Sequence, residues 1–434
     1  MCGVAGAVGR IDEPVTEALA AMSAAQRHRG PDGEGVFVSG RSDFDVALAH
    51  RRLAIIDLSV AANQPMQDQA SGCVIVFNGE IYNFAELRKQ LEAGGAPFST
   101  HGDTEVILQA YLAWGLDAVR RLRGIFALAL WDPRSRALHL ARDPLGIKPL
   151  YWARRGGTVY FASEVRALLA GGQPRVLDPE GVASFAWQGF VRGPGTIVER
   201  VRLLPAASTL SFSAAELRPA PREYWRLPDA APGTVSAEEL ARTLRETVAM
   251  QLVSDVPVGV FLSGGIDSSA VAALACEAGR GAVRTFNIGF DESSLDESRF
   301  AEQVAKQLGT EHRALRVGAA DFQRSLPDAL GSLDQPTFDG INTYLVSRAV
   351  REAGITVALA GTGGDELFGG YRSFVDLPRG QRLPRIPGMG IAMHLLTSAA
   401  TRGALRFGEV PPQTRWGKLA DVLRAPDLVA LYQA

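Results

Sequence analysis

Residues Phe261 to Ser269 read FLSGGIDSS, so three hydroxyls, two glycines and a carboxylate share nine positions. Ser263, Ser268 and Ser269 offer hydroxyl donors, and Gly264 and Gly265 let a ligand approach the backbone closely. Free N–H groups at a helix start, with the helix dipole behind them, suit an anion such as phosphate. Asp267 lies in the same stretch; a carboxylate beside polyphosphate is repelled unless a metal bridges the two, so it implies Mg²⁺. The stretch lacks the GK[ST] ending of a Walker A loop and the GxGxxG of a dinucleotide fingerprint. On pattern alone, a tight turn with incidental serines stays open.

A second set of reactive groups stands at the other end of the chain. Cys2 follows the initiator Met1. Removal of Met1 would leave one residue with both a thiol and an α-amine. An α-amine has a pKa of about 7.7–8.0, close enough to neutral to act as base for its own thiol. The plain alternative is a small buried cysteine near a terminus. Arg27 to Gly33 reads RHRGPDG, a basic loop fixed by proline and glycine. Ala47 to Leu58, ALAHRRLAIIDL, is an apolar strand interrupted by arginines, which call for an anionic partner such as an amino-acid carboxylate. Val74 to Asn83, VIVFNGEIYN, ends an apolar strand in Asn78 and Gly79. An Asn amide and a Gly N–H there are good oxyanion donors, unless the pair is a plain Asn-Gly hairpin turn. Asp103, in THGDTE, can accept from an ammonium, cap the helix that follows, or do both.

These groups need elements to hold them. Val256 to Leu262 reads as a buried strand and Ala270 to Ala278 as a buried helix, which places FLSGGIDSS at a strand-to-helix turn. Further strands are expected at Val283–Phe290 and Thr356–Ala360, with a helix at Phe300–Leu308. Strand and helix alternate, so this half is expected to be α/β, a parallel sheet with helices on both faces. Ligands of such sheets bind at the carboxyl ends of the strands. The first half shows short strands (Ile125–Trp131, Leu138–Ala141) and few helices, which predicts a layered α+β domain. Leu203 to Pro232 is proline-rich and reads as an irregular linker. Leu240, Leu244, Val248 and Leu252 recur every four residues, an amphipathic helix that leads into the strand before Ser263.

Composition narrows the function classes. The 434 residues suggest two or three domains, 47% hydrophobic and 21% charged residues suit a globular protein, and a net charge of −2 points to neither nucleic acid nor a membrane surface. No apolar run reaches the roughly 18 residues of a membrane-spanning helix, and the N-terminus does not read as a secretory signal. Cys2, Cys73 and Cys276 make no disulfide framework, which fits a cytoplasmic location, and the six histidines form no spaced metal cluster.

With Cys2, RHRGPDG, VIVFNGEIYN and THGDTE in this order, the first half resembles the class II glutamine amidotransferase domain of the N-terminal-nucleophile type. With FLSGGIDSS, GFDESS and GTGGDELFGGY behind it, nearly all of residues 1–375 resemble the glutamine-hydrolysing asparagine synthetase family. The resemblance implies an αββα sandwich over 1–210, a linker over 211–235 and a doubly wound ATP pyrophosphatase-type domain over 236–434. It implies that Cys2 attacks the glutamine side-chain amide, with Asn78 and Gly79 as the oxyanion hole. Arg52 would clamp the α-carboxylate, and Glu80 and Asp103 would hold the α-amine. It further implies ATP binding by Phe261, Ser263, Gly264, Gly265, Asp267, Ser268, Ser269, Ile288 and Gly361, with Phe261 and Ile288 bracketing adenine. Asp267 and Asp365 would be the Mg²⁺ ligands. The implied reaction joins ammonia to an acyl-adenylate of aspartate, releasing AMP and pyrophosphate. The expected partners are small molecules, with a second copy of the chain as the one macromolecular candidate.

Two positions depart from the family. Thr362 stands where asparagine synthetases carry a glutamate and supplies no charge, which leaves the acceptor open between aspartate and another acid (a sugar acid, a peptide or a secondary metabolite). The chain ends at Ala434, within an expected helix over Leu423–Gln433, where the family continues for well over a hundred residues. The chain is therefore expected to be incomplete at its C-terminus. The family's adenylation lysine lies in that continuation, and none of Lys89, Lys148, Lys306 and Lys418 lies in a matching context. That leaves a glutaminase or nucleotide-binding protein without synthetase activity as a further reading.

Overall fold

The computed structural model describes residues 1–40, 43–228, 233–279, 282–291 and 296–376. Lys418, the helix expected over 423–433 and the C-terminal part of 236–434 lie outside them.

Twelve strands build the first half. They are β1 (Gly3–Gly9), β2 (Gly33–Val38), β3 (Asp45–Arg52), β4 (Met66–Gln67), β5 (Val74–Ile81), β6 (Gly124–Asp132), β7 (Ala137–Arg142), β8 (Tyr151–Arg155), β9 (Thr158–Ala162), β10 (Val201–Leu203), β11 (Ser208–Ser213) and β12 (Arg222–Glu223). They form two six-stranded sheets, ordered β10-β8-β9-β1-β3-β2 and β12-β11-β7-β6-β5-β4, with antiparallel pairing throughout the described ladders.

Side-chain alternation along each strand sorts residues into layers. In β1, Val4 and Val8 face the second sheet, whose Val74, Val76, Ala129 and Leu140 complete the core between the sheets. Ala5 and Ala7 face the other way, onto Val15, Leu19 and Met22 of helix α1 (Glu13–Ala25). On the far side of the second sheet, Ile75 and Phe77 meet Leu87 and Leu91 of α2 (Phe84–Ala93) and Val106 and Leu108 of α3 (Asp103–Trp114). The order of layers is helix, sheet, sheet, helix: the αββα sandwich. Strand β5 is buried on both faces, which is why VIVF reads as an unbroken apolar run rather than an alternating one.

The stretch read as irregular, Leu203–Pro232, is partly sheet. Leu210 and Phe212 of β11 are buried in the inter-sheet core, and β12, inside the expected linker 211–235, pairs with Ser208 and Thr209 of β11. Tyr224 is buried too, and its hydroxyl donates to the Arg142 carbonyl at 2.8 Å. The prolines here punctuate strands only two to six residues long, which a composition reading merges into a loop.

After α4 (Val165–Ala170), α5 (Pro179–Gln188) and α6 (Ala237–Gln251), the second half builds a parallel sheet from β13 (Val258–Phe261), β14 (Arg284–Phe290), β15 (Glu311–Val317) and β16 (Val357–Leu359). The order is β15-β14-β13-β16, and every pair is parallel. Helices α7 (Ile266–Glu277) and α8 (Ser298–Leu308) cover one face, with Val248 of α6. After α9 (Ala319–Ser332), α10 (Gly340–Glu352) packs Val350 against Phe286 on the other. Strand β15 is an addition to the sequence reading. It lies at the sheet edge, its sequence EHRALRV has no buried residue, and so it carries no apolar run.

Contacts divide the chain into two compact units. One comprises Met1–Gly264 and Val271–Leu359; the other comprises Gly265–Ala270 and the chain from Ala360 onward.

Candidate active site

Cys2 lies immediately before β1, and Asn78, Gly79 and Glu80 lie within β5 of the other sheet. They meet at one pocket of about 70 Å³, whose lining includes Cys2, Arg52, Asn78, Gly79, Glu80 and Asp103. The six glutaminase residues read from the sequence are therefore brought together.

The thiol of Cys2 lies 3.4 Å from the Leu53 amide nitrogen and 3.7 Å from the Leu53 carbonyl. Burial holds it above the usual thiol pKa; the Leu53 hydrogen bond and the charges of the terminal amine and Arg29 act the other way. The Met1 amine is pushed down to about 5, chiefly by burial.

Asn78 and Gly79 do not form a hairpin turn. They pair in mid-ladder with Ala127 and Phe126 of β6. A Cβ at Gly79 would meet the Ile125 carbonyl and come within 2.7 Å of Phe126 Cα, so only glycine lets β6 run this close. Asn78 is fully buried, yet neither its Nδ2 nor its Oδ1 has a hydrogen-bond partner among the described residues. An orphaned buried amide costs about 1–3 kcal/mol unless a ligand satisfies it.

Arg52 is buried, and its guanidinium donates to the carbonyls of Ser59 (2.8 Å) and Asp57 and to Asn63 Oδ1 (2.8 Å). Among the described residues it has no carboxylate within ion-pair distance. A neutral cage thus fixes a cation and leaves its charge for a ligand. The cage is itself tied down from the second half of the chain: Asp255 Oδ2 accepts from the Asp57 amide at 2.7 Å.

The two acids are desolvated. Glu80 is raised to about 7 by burial and by the nearby Asp103. Asp103 is raised to about 6 by burial, against hydrogen bonds that include one from the Ile81 amide at 3.0 Å. Asp103 is the first residue of α3, and its carboxylate also takes hydrogen bonds from the first amides of that helix, its own and that of Thr104. Two desolvated acids beside an arginine that has no ion-pair partner among the described residues are chemically suited to a zwitterion.

Three further residues of this region have no role assigned from the sequence. Gln64 bridges Thr104 and the Phe77 amide. Lys148 lines the pocket, and burial, followed by the Arg29 cation, holds its pKa below the usual ammonium value. Arg29, in the RHRGPDG loop, donates from Nε to the Cys2 carbonyl at 2.9 Å. A larger cavity of about 450 Å³ begins at Met1, Arg29 and Leu53 and reaches Phe261, Val350 and Val357.

In the second half, Phe261 ends β13, Ile288 lies in β14, and Ser263 and Gly264 follow β13. The strand order reverses between β13 and β16, and ligands of open α/β sheets bind outside the strand ends at such a point. Gly265–Ala270 and the chain from Ala360 belong to the second compact unit. Within it, Ser268 Oγ donates to the Gly265 carbonyl at 3.2 Å, and Ser269 Oγ is buried without a partner among the described residues. A Cβ at Gly361 would come within 2.8 Å of the Ser268 amide and 2.9 Å of Asp267 Cβ, and one at Gly364 within 2.5 Å of Asp267 Cγ. The chain leading to Asp365 therefore lies directly on Asp267. Asp267 makes no hydrogen bond or ion pair among the described residues, and both acids are half-buried. Two hard oxygen donors of this kind fit a magnesium ion.

The comparisons with known proteins agree with this layout. The glutamine amidotransferase domain family matches residues 1–225, and the asparagine synthase family matches residues 239–430. Asparagine synthetase [glutamine-hydrolyzing] 1 of Bacillus subtilis is 33% identical over 440 residues, covering 96% of this chain and 67% of that one. The putative asparagine synthetase [glutamine-hydrolyzing] 2 of Methanocaldococcus jannaschii is 33% identical, covering 89% and 79%. Amidase chyE of Penicillium rubens is 34% identical, covering 80% of this chain and 54% of its own. The two family matches together define a ligase built on a glutamine amidotransferase domain. The chain belongs to the glutamine-hydrolysing asparagine synthetase family. It spans from 54% to 79% of the lengths of these relatives. Among the described residues no helix is long and apolar enough to cross a membrane.

Proposed function

We propose that this chain hydrolyses glutamine at Cys2 and supplies the ammonia to an ATP-dependent amide synthesis, with aspartate as the acceptor. The observation that carries the first step is the fully buried, unpartnered amide of Asn78 in the Cys2 pocket. In this reading the Arg52 guanidinium takes the glutamine α-carboxylate, and Glu80 and Asp103 take its α-ammonium. The side-chain amide then reaches Cys2. Removal of Met1, which lines the pocket, widens the site and frees the Cys2 α-amine as base. The thiol proton passes to that amine as sulfur attacks the amide carbon. The developing oxyanion accepts from Asn78 Nδ2 and from a backbone N–H at Gly79. Collapse breaks the C–N bond, the proton goes to the leaving nitrogen, and ammonia departs from a glutamyl thioester. Water later cleaves the thioester to glutamate.

The half-open 450 Å³ cleft from Met1 to Val357 supports a route for ammonia towards the parallel sheet, which bound substrates would have to close to water. Shelter matters because ammonia is largely ammonium in neutral water, and a dry path keeps it nucleophilic. ATP would lie at Phe261, Ser263, Gly264, Gly265, Asp267, Ser268, Ser269, Ile288 and Gly361. A magnesium ion on Asp267 and Asp365 would neutralise the departing pyrophosphate.

Thr362 and the amidase-named relative favour a second reading, the same chemistry on another carboxylic acid. Two assays test these readings. Glutaminase activity is expected in the wild type and lost in Cys2→Ala; retention in that variant sinks the first step. Exchange of labelled pyrophosphate into ATP is expected to require aspartate. Exchange that needs a different acid overturns aspartate and supports the second reading.

A further inference from the structure

Arg29 does more than touch Cys2. Its Nε donates to the Cys2 carbonyl at 2.9 Å, and its NH1 donates to Glu164 Oε1 at 3.0 Å. Both side chains are more than nine-tenths buried. Glu164 also takes His28 Nε2 at 3.0 Å on the same oxygen, while its Oε2 faces Arg166 Nε at 3.7 Å. The neighbouring residue is anchored to the nucleophile's own strand. Ser163 exchanges hydrogen bonds with Val4, through Oγ at 3.0 Å and through its amide at 2.9 Å.

The cluster continues into the second half of the chain. Asp334 lies in the connection between α9 and α10. Its carboxylate accepts from the amides of Val165 (2.7 Å) and Arg166 (2.8 Å) and pairs with Arg166 Nε at 3.5 Å. It thus caps the first turn of α4 at the residue after Glu164, with charge-assisted bonds where α4 has no side-chain cap of its own.

We propose that Glu164 is a positioning residue for the Cys2 nucleophile, acting through Arg29, and that Asp334 of the second half holds Glu164 in place. The inference rests on the glutaminase reading above. Glutamine is gripped by Arg52, Glu80 and Asp103, none of which touches this cluster. Loss of Glu164 therefore leaves substrate binding intact and misplaces only the nucleophile. A displacement on the order of 1 Å costs up to about 10²-fold in rate.

The test uses the full chain and steady-state glutaminase assays on Glu164→Gln, Asp334→Ala and the double variant, with thermal melts to confirm folding. Glu164→Gln is expected to lower kcat by roughly 10- to 100-fold, with KM for glutamine unchanged. Asp334→Ala is expected to lower kcat in the same direction by a smaller factor. The double variant is expected to match Glu164→Gln alone, because both act on one chain of contacts. A raised KM at unchanged kcat in Glu164→Gln, or wild-type kcat in Asp334→Ala, overturns the proposal. Asp334→Ala decides the matter if Glu164→Gln does not fold. Activity that survives in Cys2→Ala would instead sink the underlying reading, so the two failures are distinct.

Discussion

The Asp103 carboxylate accepts a hydrogen bond from the backbone N–H of Ile81 at 3.0 Å, pinning the start of α3 to β5 one residue past Glu80. Two acids thereby share a desolvated pocket, with Glu80 raised to about 7 and Asp103 to about 6. A substrate ammonium favours the ionised forms. Binding is therefore strongest above pH 7 and is lost as falling pH protonates first Glu80 and then Asp103. The KM for glutamine is expected to rise as pH drops from 8 to 6, approaching tenfold per unit below the upper pKa. Glu80→Gln should remove the upper inflection. A flat KM across this range contradicts the assignment of the ammonium to these acids.

Asn78 has two buried polar atoms with no hydrogen-bond partner among the described residues. In the proposed mechanism these atoms are held for the reacting amide. Asn78→Ala is expected to lower kcat by about 10²–10³-fold with little change in KM. The variant should also be no less stable in thermal melts, because it removes an unsatisfied group. A change confined to KM would make Asn78 a substrate-binding residue instead.

Arg52 is held by the carbonyls of Ser59 and Asp57, which a lysine cannot reach in the same fork geometry. Arg52→Lys is expected to raise KM for glutamine by about 10- to 100-fold, the loss of one charged hydrogen-bonded contact of roughly 1.5–3 kcal/mol. It should also lower Tm, because it strands the loop carbonyls. Measuring KM and Tm together separates this from a general loss of folding, which would lower kcat as well.

Gly361 lies against Asp267 and Ser268 with no room for a Cβ. Gly361→Ala is expected to abolish pyrophosphate exchange while leaving glutamine hydrolysis at the wild-type rate. Loss of both activities would show that the two chemistries are not separable by this turn.

Legibility differed along the chain for physical reasons. Strand β5 could be read because it is buried on both faces and leaves an unbroken VIVF run, while the sandwich itself came from the family resemblance. The pocket residues could be read because cation, acid and amide types are informative when few and clustered. Strand β15 could not, because a charged edge strand carries no apolar period. Strands β11 and β12 were hidden by the prolines around them. Arg29, Glu164 and Asp334 were illegible as a group, since they are 135 and 170 residues apart and only the fold joins them. Asn78 and Gly79 show the reverse case: local pattern favours a hairpin turn, and pairing with β6 overrides it.

The central claim is that Cys2, freed of Met1, forms the covalent intermediate. Rapid acid quench of the protein during glutamine turnover, followed by intact mass and peptide mapping, tests it most directly. A glutamyl adduct on an N-terminal peptide that begins at Cys2, absent in Cys2→Ala, is the predicted result. Turnover with Met1 still attached, or an adduct on any other residue, would contradict it.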